Sequence, residues 1–599
     1  MNLKPTADVA SLPIAKKADR WVRIIMFMVA VVTMGAIVVD YGFVLYPKEQ
    51  ALIEDIYLFA WWMFGVSYVW NLIYQWGVIK GKKIIFTVIW GLLWAAIGIN
   101  NFVTIPGSSY WLTHRIPQVI VMFLFSVLEV SRGITNIINK RTNPAILMAA
   151  GFAFVIGFGA FMLLLPRSTQ DGIVLPVVDA IFVSTSAVCV TGLTPVEIAE
   201  VFTTEGQIII AMLIQIGGLG VMTITSFFAL FFMGGSGLYN QFALRDLVGS
   251  ETMSSLLSTL LSILAFTFII EGIGALCIWF SIHGTLGMNL QEELFFSIFH
   301  AVSAFCNAGF STLYRNLGNE AIMYGHNAFF LIISSLIVLG GLGFPILMNF
   351  KSILFYRLKT WGRSLLRKPK QPAFIHLTQL NTKIVLTTTL ILIVLGSVGL
   401  ALLEWNGAFA GLPVADKITQ SIFNAIAPRT AGFISIDLTT FSLLSIMLYM
   451  GLMWVGGAAQ STAGGIKVNT LAVAWAGLVS VIKGKDRVVL FKRELSEDSI
   501  RRAAAVVFGS LLCVTGFFVA LVALEPNLPA RGLLFETISA FATVGSSLNI
   551  SPQLGDYSKL LVSLLMFTGR VGFITLLMCF IKAEKTPHYR LPKDSVIIN

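Results

Sequence analysis

Charge is scarce in this 599-residue chain. Asp, Glu, Lys and Arg together make up 12% of it, and hydrophobic residues make up 56%. An ordinary soluble domain carries about 25% charged residues, and with a mean hydropathy of +0.84 the chain reads as a polytopic membrane protein. Cysteine is scarce too. Cys189, Cys277, Cys306, Cys513 and Cys579 lie singly in apolar or glycine-rich segments, a pattern that fits neither a disulfide framework nor a zinc site. No cleavable leader is expected from the first apolar run: Trp21 to Tyr46 exceeds the roughly 7–15 residues of a signal-peptide core and has no small-residue cleavage site. It reads as a retained transmembrane helix. No arginine recurs at every third position, which argues against a voltage sensor.

The charge that is present is informative by its placement. The net charge is +11, and from Lys351 to Lys383 there are eight Lys or Arg and no acid, between two apolar segments. Such a run marks a cytoplasmic loop and not a nucleic-acid surface. Counting about 20 apolar residues per crossing gives four crossings before residue 142, at 21–46, 55–78, 84–105 and 117–138. Lys16, Lys17, Arg20 and Arg23 precede the first, Lys80, Lys82 and Lys83 follow the second, and Arg132, Lys140 and Arg141 follow the fourth. This order predicts a cytoplasmic N-terminus. Eight of the thirteen tryptophans fall in this stretch, as in a lipid-facing module with aromatic belts.

After residue 143 long apolar segments alternate with shorter, half-polar ones at 177–195, 294–312, 415–435 and 531–548. The basic loops at 240–250, 351–383, 483–502 and 582–594 place those interruptions on the outer side. The expected fold is therefore all-α, with helix, re-entrant loop and helix repeated four times in pseudo-fourfold arrangement after four extra N-terminal helices, 12 crossings in all. The predicted divisions are 1–142, 143–250, 251–383, 384–502 and 503–599.

The interruptions share an ending: Cys189-Val190-Thr191-Gly192, Cys306-Asn307-Ala308-Gly309, Arg429-Thr430-Ala431-Gly432 and Ala542-Thr543-Val544-Gly545. Their glycines are 117, 123 and 113 residues apart, each after a short amphipathic stretch. A single glycine in a membrane helix usually serves packing; four at equivalent places read as a selectivity filter. A dehydrated monovalent cation exchanges its water for rings of backbone carbonyls, and glycine reaches the required backbone angles without a Cβ penalty. The expected ion contacts are at Thr191, Gly192, Asn307, Gly309, Thr430, Gly432, Thr543 and Gly545, with no covalent cofactor or catalytic chemistry.

These motifs resemble the Ktr/Trk/HKT superfamily of potassium-uptake pores, nearest to the bacterial Ktr/Trk translocation subunit. The matching stretches are TSAVCVTGLT (185–194), SAFCNAGFS (303–311), RTAGF (429–433), SAFATVGSS (539–547), GGAAQSTAGGIK (456–467) and MFTGRVGF (566–573). NPAILMAAGF from residue 143, IGGLG (216–220) and LGGLGF (339–344) match too. The resemblance covers 143–599 and implies K+ uptake at the bacterial inner membrane through a homodimer, gated by a cytosolic ring of nucleotide-binding RCK subunits. Within the superfamily a Ser in the first quarter goes with Na+ transport, so Gly192 favours K+. Two features depart from the family: Ala459 and Gln460 stand where it usually has Pro and Gly, and Trk members carry two extra N-terminal helices and Ktr members none.

Gly464 and Gly465 fall where the helix after the third filter should run, at roughly 2 kcal/mol of lost propensity relative to Ala. With the polar Gln460, Ser461 and Thr462 they read as an intramembrane gate at 456–467. Arg570 is embedded in apolar sequence, where a cation costs at least about 2.5 kcal/mol, so it is expected at the pore or against the gating loop. Lys467 has a pore role or snorkels to the interface. Arg429 is expected behind the filter, bonded to carbonyls or to an acid such as Glu536. Asp179 and Glu536 suit the positive ends of their helices, and Glu404 and Glu525 suit solvation near the outer loops. Glu271 is the exception, a carboxylate inside a crossing. It supports the alternative of a Na+- or H+-coupled K+ symporter, beside a Na+-permeable HKT-like transporter or a receptor working through the N-terminal module.

Overall fold

The computed structural model describes residues 13–43, 45–74, 144–220, 256–365 and 379–580, with isolated positions between 91 and 129. Apart from those positions, the expected crossings at 84–105 and 117–138 lie outside the described residues, as do the basic loops at 240–250 and 582–594. Helices α1 (Pro13–Gly42) and α2 (Pro47–Tyr74) pack on each other. Trp61 of α2 and Trp94 stack with centroids 4.6 Å apart, each indole N–H donating to the other's carbonyl, at 3.1 and 3.0 Å. The Arg167 amide donates to the Gly42 carbonyl at 3.2 Å, tying α1 to the rest of the chain.

Beyond Pro144 one order of elements recurs. α3 (Pro144–Leu163), α4 (Val177–Val188) and α5 (Thr204–Gly218) form a first unit, and α6 (Leu256–Ile282), α7 (Leu290–Cys306), α8 (Asn327–Leu342) and α9 (Phe344–Leu365) a second. α10 (Leu380–Glu404), α11 (Val414–Ile426), α12 (Leu443–Trp454) and α13 (Val468–Ile482) form a third. α14 (Glu497–Leu524), α15 (Ala530–Phe541), α16 (Asp556–Val571) and α17 (Phe573–Phe580) form a fourth. Among the described residues the sole sheet is a two-stranded hairpin, Val489–Leu490 against Arg493–Glu494.

Local chemistry starts the short helices. Pro176, Pro413 and Pro529 stand immediately before α4, α11 and α15 in extended conformation, where a residue without an N–H leaves no donor unpaired. Asn289 starts α7 instead with a capping box to Glu292. Neighbouring units then interlock: α5 packs on α7, α8 on α11, α12 on α15, and α16 back on α4.

Polarity is inverted relative to a soluble protein. Along α10, Leu390, Val394, Leu395 and Val398 are exposed and Leu402 is 78% exposed, whereas Thr382, Thr389 and Glu404 are buried. An apolar face of this extent suits hydrocarbon. Among the described residues, stretches of α1, α2, α6, α10 and α14 are long and apolar enough to cross a membrane, and α8 with α9 makes a sixth candidate bent by 99°.

That bend corrects the expectation of one plain crossing after each interruption. The helix breaks at Gly343 (φ 85°) and at Gly572 (φ 92°), Gly220 (φ 79°) follows the end of α5, and residues 455–467 separate α12 from α13. Hydropathy counts apolar residues and takes no account of a left-handed glycine that ends the helix.

Candidate functional site

The four short helices unwind alike. Two residues before each expected filter glycine the backbone turns left-handed, at Val190 (φ 56°), Asn307 (61°), Thr430 (75°) and Thr543 (49°). The glycines follow at 99° for Gly192, 70° for Gly309, 72° for Gly432 and 102° for Gly545. A non-glycine residue in this region costs about 1–2 kcal/mol, so equivalent occurrences mark a backbone held by its surroundings. In the first unit the residue in register is Val190, not Thr191, the residue singled out from the sequence. The backbone register sets the valine beside Asn307, Thr430 and Thr543.

The four segments close on one another. A Cβ added to Gly192 would meet the Ala308 carbonyl oxygen; on Gly309 it would meet that of Ala431, on Gly432 that of Val544, and on Gly545 that of Thr191. All four approaches are closer than 3.0 Å, nearer than real Cβ atoms come. Each glycine therefore lies against the carbonyl of the next segment, and the sequence of contacts returns to its start.

Three units hold the segment by a serine six residues before the glycine. The amides of Thr191, Ala308 and Val544 donate to the carbonyls of Ser186, Ser303 and Ser539 at 2.8, 2.7 and 2.8 Å. The hydroxyls of Ser186 and Ser539 accept from Gly192 N (3.0 Å) and Gly545 N (3.1 Å), while that of Ser303 donates to the Phe310 carbonyl at 2.8 Å. Ile426 takes this place in the third unit, where the amides of Ala431 and Gly432 share the Ala427 carbonyl. That unit is braced further out, by the Ser435 hydroxyl donating to Gln420 Oε1 at 2.6 Å and accepting from Asn424 Nδ2 at 3.0 Å. His300 with Ser311 (2.9 Å) and Glu536 with Ser551 brace the second and fourth. The sequence reading missed this serine's role, although SAV, SAF and SAF at 186–188, 303–305 and 539–541 carry it in register.

Residues 455–467 fold under these segments as an irregular loop. Ala458 N donates to the Gly341 carbonyl at 2.8 Å and Phe344 N to that of Gln460 at 3.3 Å. Thr462 Oγ1 donates to the Phe305 carbonyl at 3.3 Å, and Ser461 Oγ to that of Ala458 at 2.7 Å. Gly456 abuts Thr430, and Gly464 abuts Ala542 and Thr543. Gln460 (φ 58°) and Gly465 (φ 64°) supply the reversals. Lys467 Nζ donates to the carbonyl of Ala463 at 2.5 Å. Arg570 of α16 donates to the carbonyls of Thr462 and Gly217, joining the loop to the first unit.

Several charged side chains find partners that the sequence did not suggest. Arg429 meets Thr389 of α10 through Nη2 at 3.5 Å, while Glu536 bonds Ser551, so no Arg429–Glu536 pair forms. Glu404 is 1% exposed and accepts from Ser442 N at 2.8 Å and Ala408 N at 3.0 Å. It caps the start of α12 and is not solvated at an interface. Glu525 does the same for α16 through Gly555 N and Ser558 Oγ, at 2.8 and 2.7 Å. Asp179 pairs with Lys559 of the fourth unit at 2.6 Å.

The TrkH family profile, described as a cation transport protein, matches residues 136–589. The chain is 34% identical to the Ktr system potassium uptake protein B of Bacillus subtilis over 458 residues, 76% of this chain and 97% of the relative. It is 33% identical to the potassium/sodium uptake protein NtpJ of Enterococcus hirae over 470 residues, 77% and 98% of the two. The solved potassium transporter TrkH from Vibrio parahaemolyticus shares the fold at 16% identity, with a TM-score of 0.59 over 83% of this chain and 97% of that one. Residues 1–135 precede the family match. From residue 136 onward, the chain belongs to the TrkH family of cation transport proteins.

Proposed function

We propose that the four glycine segments form one K+ selectivity filter through which the chain admits K+ along the membrane potential. One observation carries the reading: each glycine lies against the carbonyl of the next segment, in a circuit that closes. Such a circuit crowds backbone oxygens where a dehydrated cation needs them, and it leaves no space for a side chain at Gly192, Gly309, Gly432 or Gly545. The relatives' names, potassium uptake and potassium/sodium uptake, support K+ as substrate and leave Na+ as the competitor to test. The K+ contacts are those expected from the sequence, with Val190 added by its register, in divisions bounded at 142, 250, 383 and 502. The 456–467 loop, with Lys467 and Arg570, is the gate, since it lies against the segments and is tied to all four units. The protein sits in the inner membrane with its N-terminus in the cytoplasm, as a homodimer controlled by a cytosolic RCK-type subunit; the Ktr system names among its relatives support a regulatory partner.

The test is K+ and Na+ flux into liposomes containing wild type or Gly432→Ser. Wild type is expected to favour K+, and the serine, whose Cβ has no room beside Val544, to lower the K+/Na+ ratio at least about tenfold, a change of ~1.4 kcal/mol. Equal wild-type fluxes of the two ions would sink the filter reading. A flux that collapses when the pH gradient is removed at constant voltage would favour the coupled symporter.

A further inference from the structure

Glu271 lies within α6, is 5% exposed, and has no part in the ion path proposed above. A carboxylate at such a depth is costly and marks a functional position. Both of its oxygens are engaged. Oε2 accepts from Gln215 Nε2 at 3.1 Å, and Oε1 accepts from the Cys306 thiol at 3.7 Å. Gln215 belongs to α5 and Cys306 ends α7, whose sulfur fits against Gly218. Three helices from two units meet at this one side chain.

Its two partners lead to the same place. Cys306 follows Phe305, whose carbonyl accepts from Thr462 of the loop. Gln215 precedes Gly217 by two residues, and the Gly217 carbonyl accepts from Arg570, which also donates to the Thr462 carbonyl. The contacts thus form a closed circuit from Glu271 through Cys306 and Phe305 to Thr462, on to Arg570, and back through Gly217 and Gln215. Glu271 fixes the spacing between the two backbone carbonyls, Phe305 and Gly217, on which the loop and its arginine depend.

We infer that Glu271 is a positioning residue for the 456–467 loop, holding the two anchor points of the closed arrangement without touching the ion path. The inference rests on the reading of that loop as a gate. When the carboxylate is lost, one of the two donors loses its acceptor, the anchors are free to separate, and the loop leaves its seat more often. Coupling of this kind is measured by a double-mutant cycle and not by proximity alone.

The experiment uses the full chain in liposomes, with resting K+ flux and the K+/Na+ ratio measured for wild type, Glu271→Gln, Arg570→Gln and the double variant. Glu271→Gln is expected to raise resting flux about tenfold with the ion ratio unchanged, and the double variant to exceed neither single variant by more than twofold. A side chain that shapes the ion path would alter the ratio without raising resting flux, and that result overturns the inference. So does an unchanged flux, or fully additive effects in the double variant. Gln215→Met removes the amide donor and keeps the volume. Should Glu271→Gln not assemble, a raised flux in this variant supports the inference and an unchanged flux overturns it. If Arg570→Gln leaves resting flux unaltered while the K+/Na+ preference stands, the gate reading itself fails, and the inference falls with it.

Discussion

Asp179→Asn tests how the first and last units are joined. Asp179 Oδ1 and Lys559 Nζ lie 2.6 Å apart although the residues are 380 positions apart in sequence, and their side chains are 8% and 12% exposed. Asp179 is in the first turn of α4, where the positive helix end favours it. Lys559 is in the first turn of α16, where the same field opposes an ammonium, so it depends on Asp179 for stabilisation. Removing one member of a buried pair costs about 3–5 kcal/mol, because the other charge stays buried without a partner. Replacing both by apolar residues of similar size is often neutral or stabilising. Asp179→Asn is therefore expected to lower the thermal unfolding midpoint of the detergent-solubilised chain, and Asp179→Leu combined with Lys559→Met to return it to near the wild-type value. An Asp179→Asn protein that unfolds with wild type would refute the argument, as would a double variant no more stable than the single one.

Two further outcomes follow from the same geometry. Ser539→Ala removes the acceptor of the Gly545 amide, an orphaned buried donor worth about 1–3 kcal/mol; flux assays should show a lowered K+/Na+ ratio, and an unchanged ratio would mean that the serine does not shape the filter. Gly343→Ala forces a Cβ into φ 85°, ψ 150°, 3.0 Å from the Ala459 carbonyl, a region essentially restricted to glycine and costing about 1–3 kcal/mol; its unfolding midpoint should fall, and a wild-type midpoint would mean that the 99° bend does not need that backbone.

The four glycines of the closed circuit were legible because their constraint is local: the position excludes a side chain, so the residue type recurs wherever the geometry does. The short helices before them were legible from length and polarity. The broken second helices were not, since Gly343 and Gly572 sit in runs whose apolar content alone suffices for a crossing. Glu404 was misjudged because its burial is made by Ser442, 38 residues downstream, and a linear reading sees only a helix end. Arg429, expected to bond carbonyls or an acid such as Glu536, leans instead on Thr389 of the preceding long helix, a partner that local sequence does not point to. The serines at 186, 303 and 539 were within reach of the sequence, since aligning the units on their glycines brings all three into one column, with Ile426 as the exception.

That exception coincides with another. In the first, second and fourth units Gly217, Gly340 and Gly569 press on the carbonyls of Val188, Phe305 and Phe541, the last turns of the short helices. Three residues on come Gly220, Gly343 and Gly572 with positive φ. In the third unit the matching Gly456 presses on Thr430 and on Gly464 of the loop itself, and the helix resumes only at Val468. The unit that lacks the serine is also the one that supplies the loop, and its outer hold passes to Gln420, Asn424 and Ser435. Four identical subunits could not make such an exchange without making it four times. A single chain can brace three quarters by their own serines and hold the fourth differently, and under the gate proposed above the loop falls in that one unit.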